Sequence, residues 1–242
     1  MKKILVLGFL LMLMSIAFAI EYRPGYDPET GKITVNINKG WNLVPNNWSY
    51  NVENMTCAQN DLRAQYMYSP VQKKYVGQYK NSKNETIESP NNYFDIIAEE
   101  KDQLKYYHTQ AFAGQWLYSK KECGFDLPIG TKEQWNQVTS EVLQNYPVKA
   151  GWNFITIMPW MQDNLLKDIF SNCEVTKMNA FNSTSQSWTQ ESSAKIAEYN
   201  LTNPSPVSKE SVGAVISVKI TNDCYLTNTT TDETAQLPEL PE

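Results

Sequence analysis

The sequence predicts a mainly β protein of α+β class, in which two tandem, duplicated small domains of β-sandwich or barrel type carry short helices and one disulfide each. Three observations predict this fold. Short runs alternate apolar and polar residues, a fixed order of landmarks occurs twice, and the four cysteines fall at corresponding places in the two copies. We expect the first domain at residues 20–130 and the second at 131–227, between a signal peptide at 1–19 and a disordered tail at 228–242.

The composition of the 242 residues excludes several classes of protein. The single histidine, His108, excludes sites that need two histidines, such as zinc-protease helices and facial-triad iron sites. A net charge of -5 without a block of positive residues argues against nucleic acid as a partner. Because the cysteines include no CxxC pair either, we expect neither a metal site nor a cofactor.

The first twenty residues have the pattern of a secretory signal peptide. Lys2 and Lys3 precede an apolar run, and Ala17 and Ala19 supply the small residues of a cleavage site. The alternative is an uncleaved anchor, since the apolar run of residues 4–20 is at the lower limit for spanning a bilayer. We expect a secreted or cell-surface protein that contacts the membrane only through this segment, if it is retained.

An internal repeat organises the rest of the chain. Gly-Trp-Asn occurs at 40–42 and again at 151–153. In both copies the same landmarks follow in the same order: a cysteine (Cys57, Cys173), an aromatic pair seven residues apart (Tyr68 and Tyr75, Phe181 and Trp188), and a strand before a second cysteine (Cys123, Cys224). Because the loops between the landmarks differ in length, the pattern is typical of a duplicated domain whose surface has diverged.

Hydrophobic periodicity predicts the strands and helices. The strands are expected at 33–37, 41–44, 115–119 and 212–220, with hairpins at 66–76 and 177–189. A short helix is expected at 165–170, capped by Asp163, and an amphipathic helix at 92–107. Residues 131–146 are ambiguous, because Thr131 could cap a helix while the repeat demands a strand before Gly151; we favour a short helix followed by a strand.

The cysteines are expected to form two disulfides within the copies. An even number of widely spaced cysteines in an exported chain favours disulfides over free thiols. Matched positions favour Cys57 with Cys123 and Cys173 with Cys224. The alternative, Cys57 with Cys173, would leave each copy without its own covalent link.

The repeated motifs resemble a known type of domain. Gly-Trp-Asn followed by alternating apolar residues and a proline, then a hairpin ending in Tyr or Trp, then Gly-x-Trp-Leu-Tyr before a cysteine, resembles the GWN-type β-domains found in tandem in secreted and cell-surface proteins of prokaryotes, especially archaea. The resemblance covers most of residues 32–127 and 142–226. Its closing motif is clear at Gly114-Gln115-Trp116 and degenerate at 213–216. The resemblance implies a surface protein and supplies no catalytic residues.

Aromatic residues are the candidates for ligand contact. Tyrosines of the first hairpin and a nearby tryptophan would stack on a ligand: Tyr66, Tyr68, Tyr75, Tyr79 and Trp116. They favour the first copy as the binding half, although such rings often merely cover a sheet. Trp41 and Trp152, at equivalent places in a repeated strand, are expected in the core.

Six Asn-x-Ser/Thr sequons occur in the chain, of which Asn84, Asn182 and Asn200 fall in predicted loops and are the best candidates for glycosylation. The alternative is that Asn-rich loops produce sequons by chance.

Taken together, these features favour a non-enzymatic structural or adhesion protein of the cell envelope, whose partner is a cell-surface protein, a glycan or itself. The alternatives are a glycan-binding module, a self-assembling envelope or filament subunit, and a small secreted hydrolase that uses His108 with a carboxylate.

Overall fold

The structure is a computed structural model that describes residues 24–46, 52–58, 60–70, 73–88, 113–143, 147–188 and 206–227. Over these residues the chain is mainly β, with several antiparallel sheets, few short helices and two disulfides, so the predicted fold class is confirmed. The predicted signal peptide, the helix predicted at 92–107, the tail, His108 and Asn200 lie outside the described residues.

The first half of the chain, up to residue 130, forms two antiparallel sheets. Its strands are β1 (Gly25–Asp27), β2 (Lys32–Ile37), β3 (Gly40–Pro45), β4 (Leu62–Ser69), β5 (Lys74–Lys80), β6 (Thr86–Glu88), β7 (Gly114–Ser119) and β8 (Cys123–Pro128). One sheet has the order β1-β2-β8 and the other has the order β3-β7-β4-β5-β6. The strands predicted at 33–37, 41–44 and 115–119 and the first hairpin are therefore present.

The second half forms two further sheets. Its strands are β9 (Pro147–Val148), β10 (Gly151–Thr156), β11 (Val175–Asn182), β12 (Ser187–Trp188), β13 (Val215–Ile220) and β14 (Cys224–Tyr225). The larger sheet has the order β10-β13-β11-β12, and β14 pairs with β9. The predicted hairpin at 177–189 is β11 and β12, and the strand predicted at 212–220 begins later, after a short 3-10 helix (Lys209–Ser211).

The helices differ in how they begin. Helix α1 (Lys132–Leu143) starts with a reciprocal cap, because the Gln134 N–H donates to Thr131 Oγ1 at 3.2 Å and the Thr131 N–H donates to Gln134 Oε1 at 2.8 Å. The short helix followed by a strand, which was favoured for residues 131–146, is confirmed by α1 and by β9 after it.

Helix α2 (Leu166–Ile169) lacks the predicted cap. Asp163 pairs with Lys132 at 2.8 Å instead, and a 3-10 helix (Pro159–Met161) precedes α2.

The two Gly-Trp-Asn segments occupy corresponding places. Gly40 and Gly151 both have φ of +105°, a conformation that favours glycine. Asn42 accepts a hydrogen bond from the backbone N–H four residues earlier and donates to two backbone carbonyls, and Asn153 makes the same three bonds. Both β4 and β11 also carry a register shift near their start. A duplication predicts such agreement, and the duplication itself stays a prediction.

Alanine at Asn42 or at Asn153 is expected to lower the free energy of unfolding by about 2 kcal/mol, since each change leaves backbone groups of a tight turn without their partner. The two losses should be similar because the bonds are the same. Urea denaturation measures both, with Asn136→Ala on the exposed side of α1 as the matched control. A loss at either position as small as that of the control would contradict this prediction.

Both disulfides join the cysteines that were predicted to pair. Cys57–Cys123 ties the segment 52–58 to the start of β8, and Cys173–Cys224 ties the end of the α2 region to β14. The alternative pairing of Cys57 with Cys173 is wrong.

One hydrophobic cluster contains buried residues of both halves. Ile33 and Phe125 of the first half belong to it together with Trp160 and Val218 of the second. The approach is close at Gly213, where an added Cβ would lie 2.9 Å from Ile33 Cδ1. The halves are further linked because the Thr156 hydroxyl donates to the Ala113 carbonyl at 3.2 Å. The core therefore crosses the predicted boundary at residue 130.

Candidate functional site

The five-stranded sheet of the first half has one apolar buried face and one aromatic face. Val44, Met67, Val76 and Leu117 point into the protein and are almost fully buried. Because neighbouring strand residues face opposite sides, the residues between them share the other face. The register places these aromatic side chains there: Trp41, Tyr66, Tyr68, Tyr75, Tyr79, Trp116 and Tyr118.

The larger sheet of the second half is built in the same way. Ile155, Met178 and Val218 are buried, whereas Phe154, Phe181 and Trp188 lie on the opposite, half-exposed face. The aromatic faces of the two sheets meet each other.

Trp116 is the centre of this contact. Its ring centroid lies 4.8 Å from that of Phe181, 5.6 Å from that of Trp188 and 6.2 Å from that of Phe154. On the other side it lies 6.3 Å from Trp41, with the two ring planes at 89°. These edge-to-face pairs stabilise an aromatic cluster beyond the area that they bury. The pKa of the nearby Tyr75 hydroxyl is raised by burial, and an interaction with the Trp116 side chain lowers it in part.

Two glycines permit the close packing of the cluster. An added Cβ at Gly114 would overlap Val215 and would lie 3.3 Å from the Cβ of Phe154. Gly77 is paired with Tyr66, and an added Cβ there would lie 2.8 Å from the Tyr66 Cα. Larger residues at these positions would separate the two sheets or displace the tyrosine.

The turn between β11 and β12 holds the edge of the first sheet. The Trp41 backbone N–H donates to Gln186 Oε1 at 2.7 Å, and Gln186 Nε2 donates back to the Trp41 carbonyl at 2.8 Å. The Asn38 side chain adds a hydrogen bond to the Ser183 hydroxyl at 2.8 Å. An added Cβ at Gly40 would lie 2.7 Å from Gln186 Oε1, so glycine is needed for this bridge.

These contacts enclose an open cavity, which we call the aromatic groove. Its volume is about 610 Å³, within the range of small-ligand sites. It is lined by Trp41, Tyr66, Tyr75, Trp116, Phe181 and Gln186. Burial raises the pKa of the Tyr66 and Tyr75 hydroxyls above the ordinary value. The tyrosines therefore stay neutral at physiological pH, and the described residues of the lining carry no charge.

The residues predicted to stack on a ligand do not all lie at the same cavity. Tyr66, Tyr75 and Trp116 line the aromatic groove, and Tyr68 packs beside it, 5.7 Å from Phe154 between ring centroids. Tyr79 instead lines a second cavity of about 360 Å³ together with Arg63.

Two expectations about this region are wrong. Trp41 is not a core residue, since 37% of it is exposed, and Trp152 is only half-buried on the outer face of its own sheet. Both concern tryptophans; the expectation that the first half is the binding half stays a prediction, although Phe181 and Gln186 of the second half also line the groove. The sequence did contain a signal for Phe181 and Trp188, which correspond to Tyr68 and Tyr75 in the repeat.

The two described sequon candidates have different environments. The Asn84 side chain is engaged at both ends, since Oδ1 accepts from Arg63 at 3.0 Å and Nδ2 donates to Asn60 at 2.9 Å. Asn182 Oδ1 accepts from the backbone N–H groups of Thr184 and Ser185, which forms the β11–β12 turn. Its Nδ2, the atom that a glycan would modify, lies outside these bonds.

One further class of site, a metal centre, has no basis in the part of the chain that the structure describes. Within the ranges given above, no group of three or more His, Cys, Asp or Glu residues is arranged to hold a metal ion.

Comparison with known protein families, with curated proteins and with solved structures finds no match for this chain. The resemblance to GWN-type domains therefore stays a prediction.

Proposed function

We propose that this protein is a non-enzymatic binding protein of adhesion type, secreted or held at the cell surface, whose ligand site is the aromatic groove. The observation that carries the proposal is the groove itself, in which both sheets expose aromatic rings to solvent. Trp41 and Tyr75 of the lining are exposed to 37% and 48%, and Trp188, which packs against Phe181 of the lining, is exposed to 39%. Contiguous exposed apolar surface of this kind marks interaction sites, and Trp and Tyr contribute the most to binding at interfaces.

The extracellular placement is supported by the covalent chemistry. Two disulfides form and persist in oxidising compartments, and the signal-peptide pattern would deliver the chain to one. Among the described residues, none of the helices has the length and apolar character needed to cross a membrane.

A glycan is the second candidate ligand. Exposed aromatic faces, such as that of Trp41, offer apolar surface on which the C–H face of a sugar ring can stack. Self-association is the third possibility that the groove offers.

The test is a titration of the full-length chain against immobilised neutral oligosaccharides and extended peptides. Trp41→Ala should weaken the binding of any ligand of the groove at least tenfold, because the ring is exposed at its rim. The matched control is Tyr225→Ala, which removes a similarly exposed ring (49%) from β14, outside the groove. Equal effects of the two substitutions, or no binding to either class of probe, would contradict the proposal.

A further inference from the structure

We propose that the aromatic groove binds an extended Pro-x-x-Pro segment, and that residues 237–242 of this same chain are such a ligand. The proposal rests on the function proposed above, in that the groove must be a binding site. Four features support it: the chemistry of the lining, the triplet pattern of the segment, the charges beside the groove and the length of chain between them.

The lining favours a ligand with apolar rings over one with many hydroxyl groups. Five of the six lining side chains are aromatic. The sixth, Gln186, already uses its Oε1 and Nε2 to hold the backbone of Trp41. A sugar would find only the Trp41 N–H and the Tyr66 and Tyr75 hydroxyls in exchange for the many hydrogen bonds that its hydroxyls make in water, whereas a proline ring needs none.

The polar groups of the lining suit a peptide backbone. The indole N–H of Trp41 is a donor only, and the hydroxyls of Tyr66 and Tyr75 can donate. A polyproline II segment has no internal hydrogen bonds, so its carbonyl oxygens remain available as acceptors. Aromatic grooves with such donors are a recurrent way to bind this conformation.

Residues 237–242 read Leu-Pro-Glu-Leu-Pro-Glu, a triplet that occurs twice. Polyproline II has three residues per turn, so each residue type falls on one edge of the helix. In that conformation Pro238 and Pro241 would share one edge, the leucines the second, and Glu239 and Glu242 the third. The segment can thus place its proline and leucine edges against aromatic rings and keep its carboxylates in water.

Exposed lysines lie beside the groove and complement those carboxylates. Lys39 lies two residues before Trp41, and Lys73 lies two residues before Tyr75; both are exposed. The Asp223 carboxylate, whose pKa is lowered chiefly by the Ala150 N–H and Lys149 and also by Lys73, offsets part of the charge of Lys73, so the positive charge that favours an acidic segment over a basic one rests mainly on Lys39.

The chain is long enough to reach its own groove. The Cys173–Cys224 disulfide holds the end of the described chain near the start of β11, and Thr227 donates its N–H to the Ile169 carbonyl at 2.8 Å. Phe181 of the groove lies near the other end of β11, about 20 Å away at the rise of a strand. Residues 228–236 span up to about 30 Å when extended, so the segment can dock on the same molecule.

The experiment uses the full-length chain and a labelled synthetic peptide of residues 231–242. Replacement of Pro238 and Pro241 by alanine in the protein should release the groove, so the peptide is expected to bind this double variant at least tenfold more tightly than the parent, in which the tethered segment competes. A peptide with both prolines replaced by alanine is the matched control and should not bind. Fluorescence anisotropy measures all of these affinities.

Adding Trp41→Ala to the double variant should remove the binding, whereas adding Tyr225→Ala should leave it unchanged. Binding of the peptide to neither protein, or to both equally, would overturn the inference, as would binding that survives Trp41→Ala. If an oligosaccharide binds in a Trp41-dependent way while the peptide does not, the inference is wrong and the proposed function stands. If no probe binds, both are wrong.

Discussion

Replacing Trp116 by alanine is expected to lower the free energy of unfolding by about 3 kcal/mol, at the lower end of the cost for a large buried aromatic side chain because the ring is half-buried. The ring touches Trp41 on one side and Phe154, Phe181 and Trp188 on the other, so its loss removes contacts that join the two halves. Urea denaturation followed by circular dichroism measures the change.

The matched control for this prediction is Trp188→Ala. Trp188 belongs to the same cluster but is 39% exposed at the rim, so its removal should cost only about 1 kcal/mol. The groove should lose its ligand in the Trp116 variant even where the protein remains folded. Equal losses of stability for the two tryptophans would show that Trp116 is not the centre of the contact.

Removal of the Cys57–Cys123 disulfide, with both cysteines replaced by alanine, is expected to lower the free energy of unfolding by about 4 kcal/mol. The bond closes a loop of 66 residues, and the entropy that it removes from the unfolded chain grows with the logarithm of loop length. The second disulfide closes 51 residues, so its removal should cost nearly as much. Denaturation of the two double variants measures both effects.

The control is the folded parent protein treated with a thiol-blocking reagent, which should keep full stability because all four cysteines are in disulfides. A loss below about 1 kcal/mol for either pair would mean that the unfolded chain is already restrained or that the folded state is relieved of strain.

The sequence predicted much of the fold because the responsible forces are local. The alternation of residues 33–37 decides which side of β2 faces the core, and Ile33, Val35 and Ile37 are indeed buried. The disulfide pairing followed from the matched order of landmarks. The helix cap predicted at Asp163 is wrong because the helix begins later, at Leu166, with Leu165 at its N-cap; Asp163 lies two residues before that position and pairs with Lys132 instead.

The Gly-Trp-Asn segments show why the site was harder to predict. Hydrophobicity places the tryptophan inside and the asparagine outside, but in β3 the order is reversed: Asn42 is 1% exposed and Trp41 is 37% exposed. The asparagine is inside because its amide satisfies the backbone of the preceding turn. Gln115 is buried in the same way and donates to the Pro45 carbonyl at 3.0 Å. Polar side chains that hydrogen-bond to the backbone thus occupy the inner face of the sheet, and the aromatic rings next to them in sequence lie on its outer face.

The meeting of the two aromatic faces depends on contacts that no local pattern encodes. Phe181 was matched to Tyr68 as an equivalent residue, yet equivalence within a repeat does not say that the two copies touch. Their contact arises from the shape of both sheets and from glycines such as Gly114, whose significance appears only once Val215 is seen against it.

The bridge between Trp41 and Gln186 has a consequence for the order in which the protein matures. The two residues are 145 positions apart, so a chain leaving the ribosome presents Trp41 long before the glutamine that holds its backbone. Domains generally fold from the amino terminus as they are made, but this groove requires residues from both halves of the chain. The groove is therefore unfinished on a nascent chain until the β11–β12 turn that carries Gln186 has been made and has folded against Trp41.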